Sequence, residues 1–364
     1  MTGRSLPGPQ GRLWCGVSEP SDIQFRVEGV LGRITLNRPQ ALNALTLDMC
    51  LRMKAQLQAW AGDRAVHAVL IEAVPGRAFC AGGDIRVMAE WGKARDPRAL
   101  QFFATEYALN GLIKRFPKPY VALLDGITMG GGVGISVHGT YRIATENTLF
   151  AMPETAIGFF PDVGGSFFLP RCPGAIGTYL GLTGARLKAG DMLYAGLATH
   201  YVPAARLGEI APRLARGAAV DFVLAHVTES PGAPALSAHR RALDESFSLA
   251  TVEDILVRLG SAGEWGEATA ESLHSRSPTS LKLALEQLRR GRTLPIAACL
   301  EMEFQIVAHL LEGHDFFEGV RAVLIDKDNA PRWDPARLED VDDASISAYF
   351  APRAPGLGLT SGPK

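Results

Sequence analysis

The sequence has no surplus of charge. Its 37 Lys and Arg residues stand against 38 Asp and Glu, a formal net charge of -1, so a broad basic face for a nucleic-acid backbone is missing. Cysteines are few, odd in number and scattered (Cys15, Cys50, Cys80, Cys172 and Cys299), with no C-x-x-C pair. Neither a disulfide framework nor a zinc site is indicated, and a reducing compartment fits. No apolar run approaches the length of a membrane span. The 8 histidines form no H-E-x-x-H and sit beside no Cys partner, which argues against a metal. There is no G-x-S-x-G elbow, no P-loop, and no G-x-G-x-x-G leading to a ribose-binding acid. Serine-hydrolase and nucleotide-cradling readings therefore lose their usual marks.

What is present is a chain of 364 residues, 47% hydrophobic and 21% charged, as expected of a globular protein with one large domain or one domain plus an appendage. Residues 1–21 are Gly/Pro-rich without an apolar h-region and read as a disordered leader, with a faint organelle-transit character from Arg4 and Arg12. From Asp22 the chain is patterned. Residues 24–28 and 33–36 alternate around Gly29 and Gly32 as a β-hairpin. Thr46 suits a helix cap, with Met49, Met53, Leu57 and Trp60 as the apolar stripe behind it. "VHAVLIEA" (66–73) is a buried strand running into the glycine turn "FCAGGDI" (79–85). Asp96-Pro97 opens a helix to about Phe116. Strand 120–124 runs into "GITMGGGVGIS" (126–136), and short strands follow at 142–144 and 149–151. Repeated strand–turn–helix units imply an α/β layer structure. Past about Val202 helical patterns dominate, with helices expected at 251–259, 280–289 and 294–311. The last residues, 346–364, read as a disordered tail.

Three features carry chemistry. "AGGD" and "GGGVG" each follow a strand. Singly, either reads as a tight turn, but two glycine turns whose backbone N–H groups converge can form an oxyanion hole. In "AMPETAIGFFPDVGG" (151–165), Glu154 and Asp162 stand among apolar residues, Gly and Pro. Either they are held desolvated beside a reacting group, with raised pKa values, or one caps a helix and the other is at the surface. Spacing alone does not separate the two. Glu106, inside "FFATEYALN", is a solvated-face glutamate or a ligand contact.

Six stretches, "LNRPQALNAL", "GRAFCAGGDIRVM", "KPYVALLDGITMGGGVGISVHG", "AMPETAIGFFPDVGG", "LTGARLKAGDMLYAGLATHYV" and "GHDFFEGVRAVLIDKDNAPRW", resemble the crotonase (enoyl-CoA hydratase/isomerase) superfamily between residues 22 and 345. The third, fourth and last resemble its thioester-hydrolase branch. The resemblance implies an α/β fold, a crotonase-type spiral of repeated β-β-α units, with a catalytic core over 22–205 and a helical C-terminal region over 206–345. It implies an acyl-CoA substrate with its thioester oxygen between the backbone N–H groups of Gly83 and Gly131. Glu154 and Asp162 would be the catalytic acids, and Glu106, Gly131, Glu154 and Asp162 would contact the substrate. The turn Ala81, Gly83, Asp84 and Ile85 would lie against the adenine of CoA. No cofactor beyond the substrate's own CoA, no metal, no nucleic acid and no membrane partner is implied, and homo-oligomerisation is left open.

Hydratases of the superfamily pair two glutamates. Here the first of those positions is Gly134, expected to leave a gap near the acyl group, and the second is Glu154. The implied reaction is hydrolysis of a small 3-hydroxyacyl-CoA, as in valine breakdown, with Glu154 either attacking the carbonyl or activating water. A hydratase or isomerase of the same fold, and a CoA-binding protein without catalysis, are the alternatives. The favoured setting is the cytoplasm of a bacterium, or the mitochondrial matrix for a eukaryotic source.

Overall fold

The computed structural model of the chain describes residues 21–359. The expected hairpin forms from β1 (Ile23–Glu28) and β2 (Leu31–Leu36), paired antiparallel with Ile23 opposite Leu36. Helix α1 (Leu47–Gly62) starts where the Thr46 side chain accepts from the Met49 amide, and it buries Met49, Met53, Leu57 and Trp60. The chain then repeats one design. A strand enters a large sheet, a second strand enters a small one, and a helix brings the chain back. The first such turn is β3 (Ala68–Ala73), β4 (Ala78–Cys80), α2 (Ile85–Lys93) and α3 (Arg98–Lys114). The second is β5 (Tyr120–Leu124), β6 (Ile127–Met129) and α4 (Gly131–Val137). The third is β7 (Tyr141–Ala144), β8 (Leu149–Ala151), α5 (Gly165–Phe168), α6 (Ile176–Thr183) and α7 (Ala189–Tyr194), closed by β9 (His200–Tyr201).

Stacking the turns pairs like with like. The large sheet has the order β1-β2-β3-β5-β7-β9, parallel beyond the hairpin, and the small one the order β4-β6-β8, parallel throughout. This is the expected spiral of β-β-α units. Parallel strands covered on both faces read as unbroken apolar runs, which explains "VLI" and "YVALL". The outward Leu70, Val121, Leu123 and Ile143 are covered by α8 (Ile210–Ala215) and α9 (Val220–Val227), and the inward Val69, Ile71 and Ala122 join the main core.

The rest of the chain is helical: α10 (Arg240–Phe247), α11 (Val252–Leu259), α12 (Gly263–His274), α13 (Pro278–Gly291), α14 (Ile296–Leu310), α15 (Asp315–Val320) and α16 (Asp343–Ala348). It is not set apart from the spiral, since α14 packs on α3 and α5, and α13 on α5 and α6. Helix α6, absent from the expectations, buries Ile176, Gly177, Leu180, Gly181, Leu182 and Thr183. A helix buried nearly all round shows no amphipathic period to read. Among the described residues no helix is long and apolar enough to cross a membrane.

The expected disordered tail is corrected in part. Residues 346–359 are ordered: α16 ends the helical region and the chain beyond it lies along α14. There Gln305 accepts from the amides of Arg353 (2.7 Å) and Ala354 (2.8 Å), and Glu301 accepts from those of Leu357 (2.8 Å) and Leu359 (3.1 Å). The compositional signal missed this because the partners are two side chains of a distant helix. Residues 360–364 of the expected tail, and the expected leader apart from Ser21, lie outside the described residues. Replacing Gln305 by Ala removes the one oxygen that accepts both amide bonds of the segment around Arg353. We expect faster tryptic cleavage after Arg353 with little change in melting temperature; an unchanged cleavage rate would show that Gln305 does not hold the segment.

Candidate active site

Strands β4, β6 and β8 run parallel and side by side, so the segments that leave their C-terminal ends are neighbours. After β4 the chain turns through Gly82 (φ 123) and after β6 through Gly130 (φ 46), both in the left-handed range that favours glycine. Leu45 clamps the first turn, donating its amide to Gly82 O at 2.8 Å and accepting from the Asp84 amide at 2.9 Å. Arg38 adds an ion pair to Asp84 at 2.9 Å. A Cβ added to Gly131 would lie 3.2 Å from the Gly83 nitrogen, so the two turns bring these amides together. Neither amide donates to a protein acceptor among the described residues. Gly131 opens α4, where helix geometry leaves the first N–H groups unpaired.

The carboxylates close around this pair. On α3, Glu106 and Asn110 are four residues apart and thus on one face, and both are buried. Glu106 Oε1 occupies the space where a Gly131 Cβ would go, and it has no hydrogen-bond partner. Glu154 begins a single 3-10 turn (Glu154–Ile157) directly after β8. Its Oε1 lies 3.1 Å from where a Gly130 Cβ would sit, and its Oε2 is unpartnered. Asp162 follows on the next loop, with Tyr107 of α3 donating its hydroxyl to Oδ2 at 2.7 Å. The walls are aromatic: Phe159 stacks on Phe103 (5.6 Å between centroids) and on Phe160 (4.8 Å).

Apolar walls set the electrostatics. Burial pushes the Glu106 carboxyl well above the usual range, and repulsion from Asp162 adds to it. Glu154 is raised well above its ordinary value by burial, then by Asp162, with a smaller push from Glu106. Asp162 is lifted by burial to about 7 against the pull of the Tyr107 hydrogen bond. Three acids in one dry cluster cannot all ionise near neutral pH, so the site holds exchangeable protons where a general acid or base operates best.

The structure brings Gly83, Gly131, Glu106, Glu154 and Asp162 into one cluster, with Ala81, Asp84 and Ile85 in the adjoining turn. It corrects the expectation at Gly134. No gap exists there: an added Cβ would lie 2.7 Å from Val163 Cβ and 2.9 Å from Asn110 Nδ2. Val163 reaches this position because it adopts φ 53, a left-handed conformation costly for a β-branched residue, on the order of 1–3 kcal/mol. That backbone state leaves no trace in the residue types.

Several groups at the site were not foreseen. Tyr107 and Asn110 sit on the same helix as Glu106, and their spacing from it was the available signal. Both amide atoms of Asn110 are buried without a partner. His138, at the end of α4, bonds through Nε2 to the Val163 carbonyl at 2.7 Å. Burial lowers its pKa to about 4, so the ring is neutral and Nε2 carries the donated proton. Glu303 of α14 accepts from the Gly164 amide at 2.7 Å, the Ser166 amide at 3.0 Å and the Ser166 hydroxyl at 2.5 Å. Burial raises it to about 8 despite these donors. Nothing in the sequence around Glu303 marks it.

A family model described as enoyl-CoA hydratase/isomerase matches residues 31–350. A mitochondrial 3-hydroxyisobutyryl-CoA hydrolase of Gallus gallus is 45% identical over 343 residues, 91% of this chain and 89% of the relative. The Homo sapiens protein of the same description is 44% identical over 340 residues, 90% of this chain and 88% of its own. Among solved structures, one described as a carnitinyl-CoA dehydratase from Mycobacterium thermoresistibile is 40% identical with a TM-score of 0.90, covering 94% of this chain and 100% of that one. Another, described as an enoyl-CoA hydratase from Rhodobacter sphaeroides 2.4.1, is 40% identical with a TM-score of 0.86, covering 91% and 98%. The two curated relatives are described as mitochondrial, which lends no support to the favoured bacterial cytoplasm.

The raised Asp162 pKa has a measurable consequence. The folded chain holds this proton more tightly than the unfolded one, so the stabilising contribution is fully present below the ordinary value of 3.8 and is lost as pH rises through about 7. Asp162→Asn cannot ionise. Its stability relative to wild type should therefore rise between those pH values and level off above them, as read by thermal melts across pH. A constant difference over that window would contradict the assignment.

Proposed function

The chain belongs to the enoyl-CoA hydratase/isomerase family, and within it we propose that the protein is an acyl-CoA thioester hydrolase, converting 3-hydroxyisobutyryl-CoA and water to 3-hydroxyisobutyrate and CoA, a step of valine catabolism. The observation that carries this reading is the packing at Gly134. The first glutamate of the hydratase pair is replaced by glycine, and its room is occupied by Val163 and Asn110. With the alkene-hydrating pair incomplete, the remaining acids serve a carbonyl instead. Relatives described as hydrolases, at 44–46% identity over most of the chain, support the same substrate.

The amides of Gly83 and Gly131 receive the thioester oxygen and stabilise the charge that develops on it, a role in which loss of one donor typically costs on the order of 10²–10³ in rate. Glu154 acts on the carbonyl carbon, directly as a nucleophile that forms a mixed anhydride or through one water whose proton it takes. In both routes the C–S bond breaks and the thiolate leaves with a proton. In the water route the oxygen of water enters the product carboxylate directly; in the anhydride route water breaks one C–O bond of the anhydride and places its oxygen in the product or in Glu154. Single turnover in ¹⁸O-labelled water distinguishes them, since only the anhydride route can leave label in Glu154 itself. Asp162, held by Tyr107, accepts a hydrogen bond from the substrate 3-hydroxyl and takes part in proton transfer. Glu106 lines the site beside Gly131. The turn of Ala81, Gly83, Asp84 and Ile85 takes the adenine end of CoA, and the chemistry uses no other cofactor. In a eukaryotic source the mitochondrial matrix is the fitting compartment.

The dehydratase and hydratase descriptions of the two solved structures favour a second reading, and one assay separates it. We expect CoA thiol release from 3-hydroxyisobutyryl-CoA, much slower release from isobutyryl-CoA, and no hydration of a 2-enoyl-CoA. A site built around a hydroxyl rejects analogues without it. Equal hydrolysis of the two saturated esters would remove Asp162 as the hydroxyl reader, and rapid hydration without thiol release would replace the hydrolase reading.

A further inference from the structure

Asp162 stands at the mouth of an improbable turn. The two residues after it, Val163 (φ 53) and Gly164 (φ 84), are both left-handed, and the first is β-branched. Local sequence preference does not favour this conformation, so the surroundings must impose it. Four elements do so. Tyr107 of α3 holds the Asp162 carboxyl, and His138 at the end of α4 holds the Val163 carbonyl. Gln287 of α13 donates to Pro161 O at 2.6 Å. The fourth is Glu303. Fully buried on α14, it spans the far side of the turn with both oxygens, one on the Gly164 amide and one on the Ser166 amide and hydroxyl. It is the one carboxyl among these four holding groups, and it stands more than 130 residues from the turn in sequence.

We propose that Glu303 is a positioning residue for the hydrolytic reaction: by holding the amides of Gly164 and Ser166 it fixes the left-handed turn that aims Asp162 into the acyl site and presses Val163 against Gly134. This rests on the reading of Asp162 as part of a hydrolase site. An amide, with one acceptor oxygen in place of two, cannot substitute. In Glu303→Gln the new NH₂ faces either the Gly164 N–H or the two Ser166 donors, so one side of the turn loses its acceptor and gains a donor against a donor. Opening the turn by an ångström is enough to disturb catalysis, on the order of 10²-fold, while the CoA end is bound elsewhere.

The experiment measures kcat and KM of Glu303→Gln with 3-hydroxyisobutyryl-CoA, beside its thermal melt and its crystal structure. We expect kcat to fall on the order of 10²-fold with KM within about threefold of wild type. The crystal structure should show Val163 and Gly164 leaving the left-handed region and the Tyr107–Asp162 hydrogen bond broken. A merely structural role would lower the melting temperature and leave kcat of the folded protein unchanged, which overturns the proposal, as does a rise in KM alone. Should Glu303→Gln fail to fold, Ser166→Ala removes one of the three bonds and must lower kcat at constant KM; unchanged kcat then overturns it. If wild type itself releases no thiol, the hydrolase reading fails and the crystal structure decides alone, with an unmoved turn in Glu303→Gln refuting the positioning role.

Discussion

Parallel pairing of three short strands is the constraint on which the rest of the site depends. Cys80 lies beside Thr128, and Met129 beside Ala151, so β4, β6 and β8 end nearly level. Their continuations are the Gly82-Gly83 turn, the Gly130-Gly131 turn and the Pro153-Glu154 turn. Two free amides and a carboxylate meet because three consecutive windings of one spiral stop at the same height. Each strand has only three residues, so the register is held by the larger sheet beside it, whose central strands β3 and β5 are buried on both faces over most of their length. The wider rule that ligands lie off the carboxyl ends of parallel strands here has a local cause.

The site is costly to fold and is stabilised by its walls. Glu106, Glu154 and Asp162 are all buried with raised pKa values, and Val163 adds backbone strain. Such features persist where surrounding structure over-determines them. The determining contacts come from the C-terminal helices as much as from the spiral: Glu303 and Gln287 hold the turn that carries Asp162. The helical region is thus part of the catalytic apparatus in the proposed reading.

Much of this was legible in the residues. Thr46 caps α1 as its position implies, and the hairpin, β3 and β5 fall where alternation and apolar runs place them. By contrast β4 and β6, the three-residue strands that lead into the glycine turns, lie inside or beside stretches that read as turns. Two acids with no countercharge in "AMPETAIGFFPDVGG" already posed the question that burial answers. What escaped reading was long-range or conformational. Tyr107 and Asp162 meet across 55 positions, and Glu303 and Ser166 across 137; no local pattern encodes either. The gap expected at Gly134 was wrong because its filler, Val163, arrives through a φ that its residue type disfavours. The tail was misread because composition registers Pro and Gly but not the carboxylate of Glu301 that meets it.

The identity of the reacting acid is the centre of this picture, and one substitution addresses it. Glu154→Gln keeps shape and most hydrogen bonding while removing the charge that attacks the carbonyl or activates water. Thiol release from 3-hydroxyisobutyryl-CoA should fall by at least the 10²–10⁴ typical of a lost acid–base group, with acyl-CoA binding, followed by titration calorimetry, within a few-fold of wild type. A Glu154→Gln protein that turns over near the wild-type rate would contradict the assignment of Glu154 and the mechanism built on it.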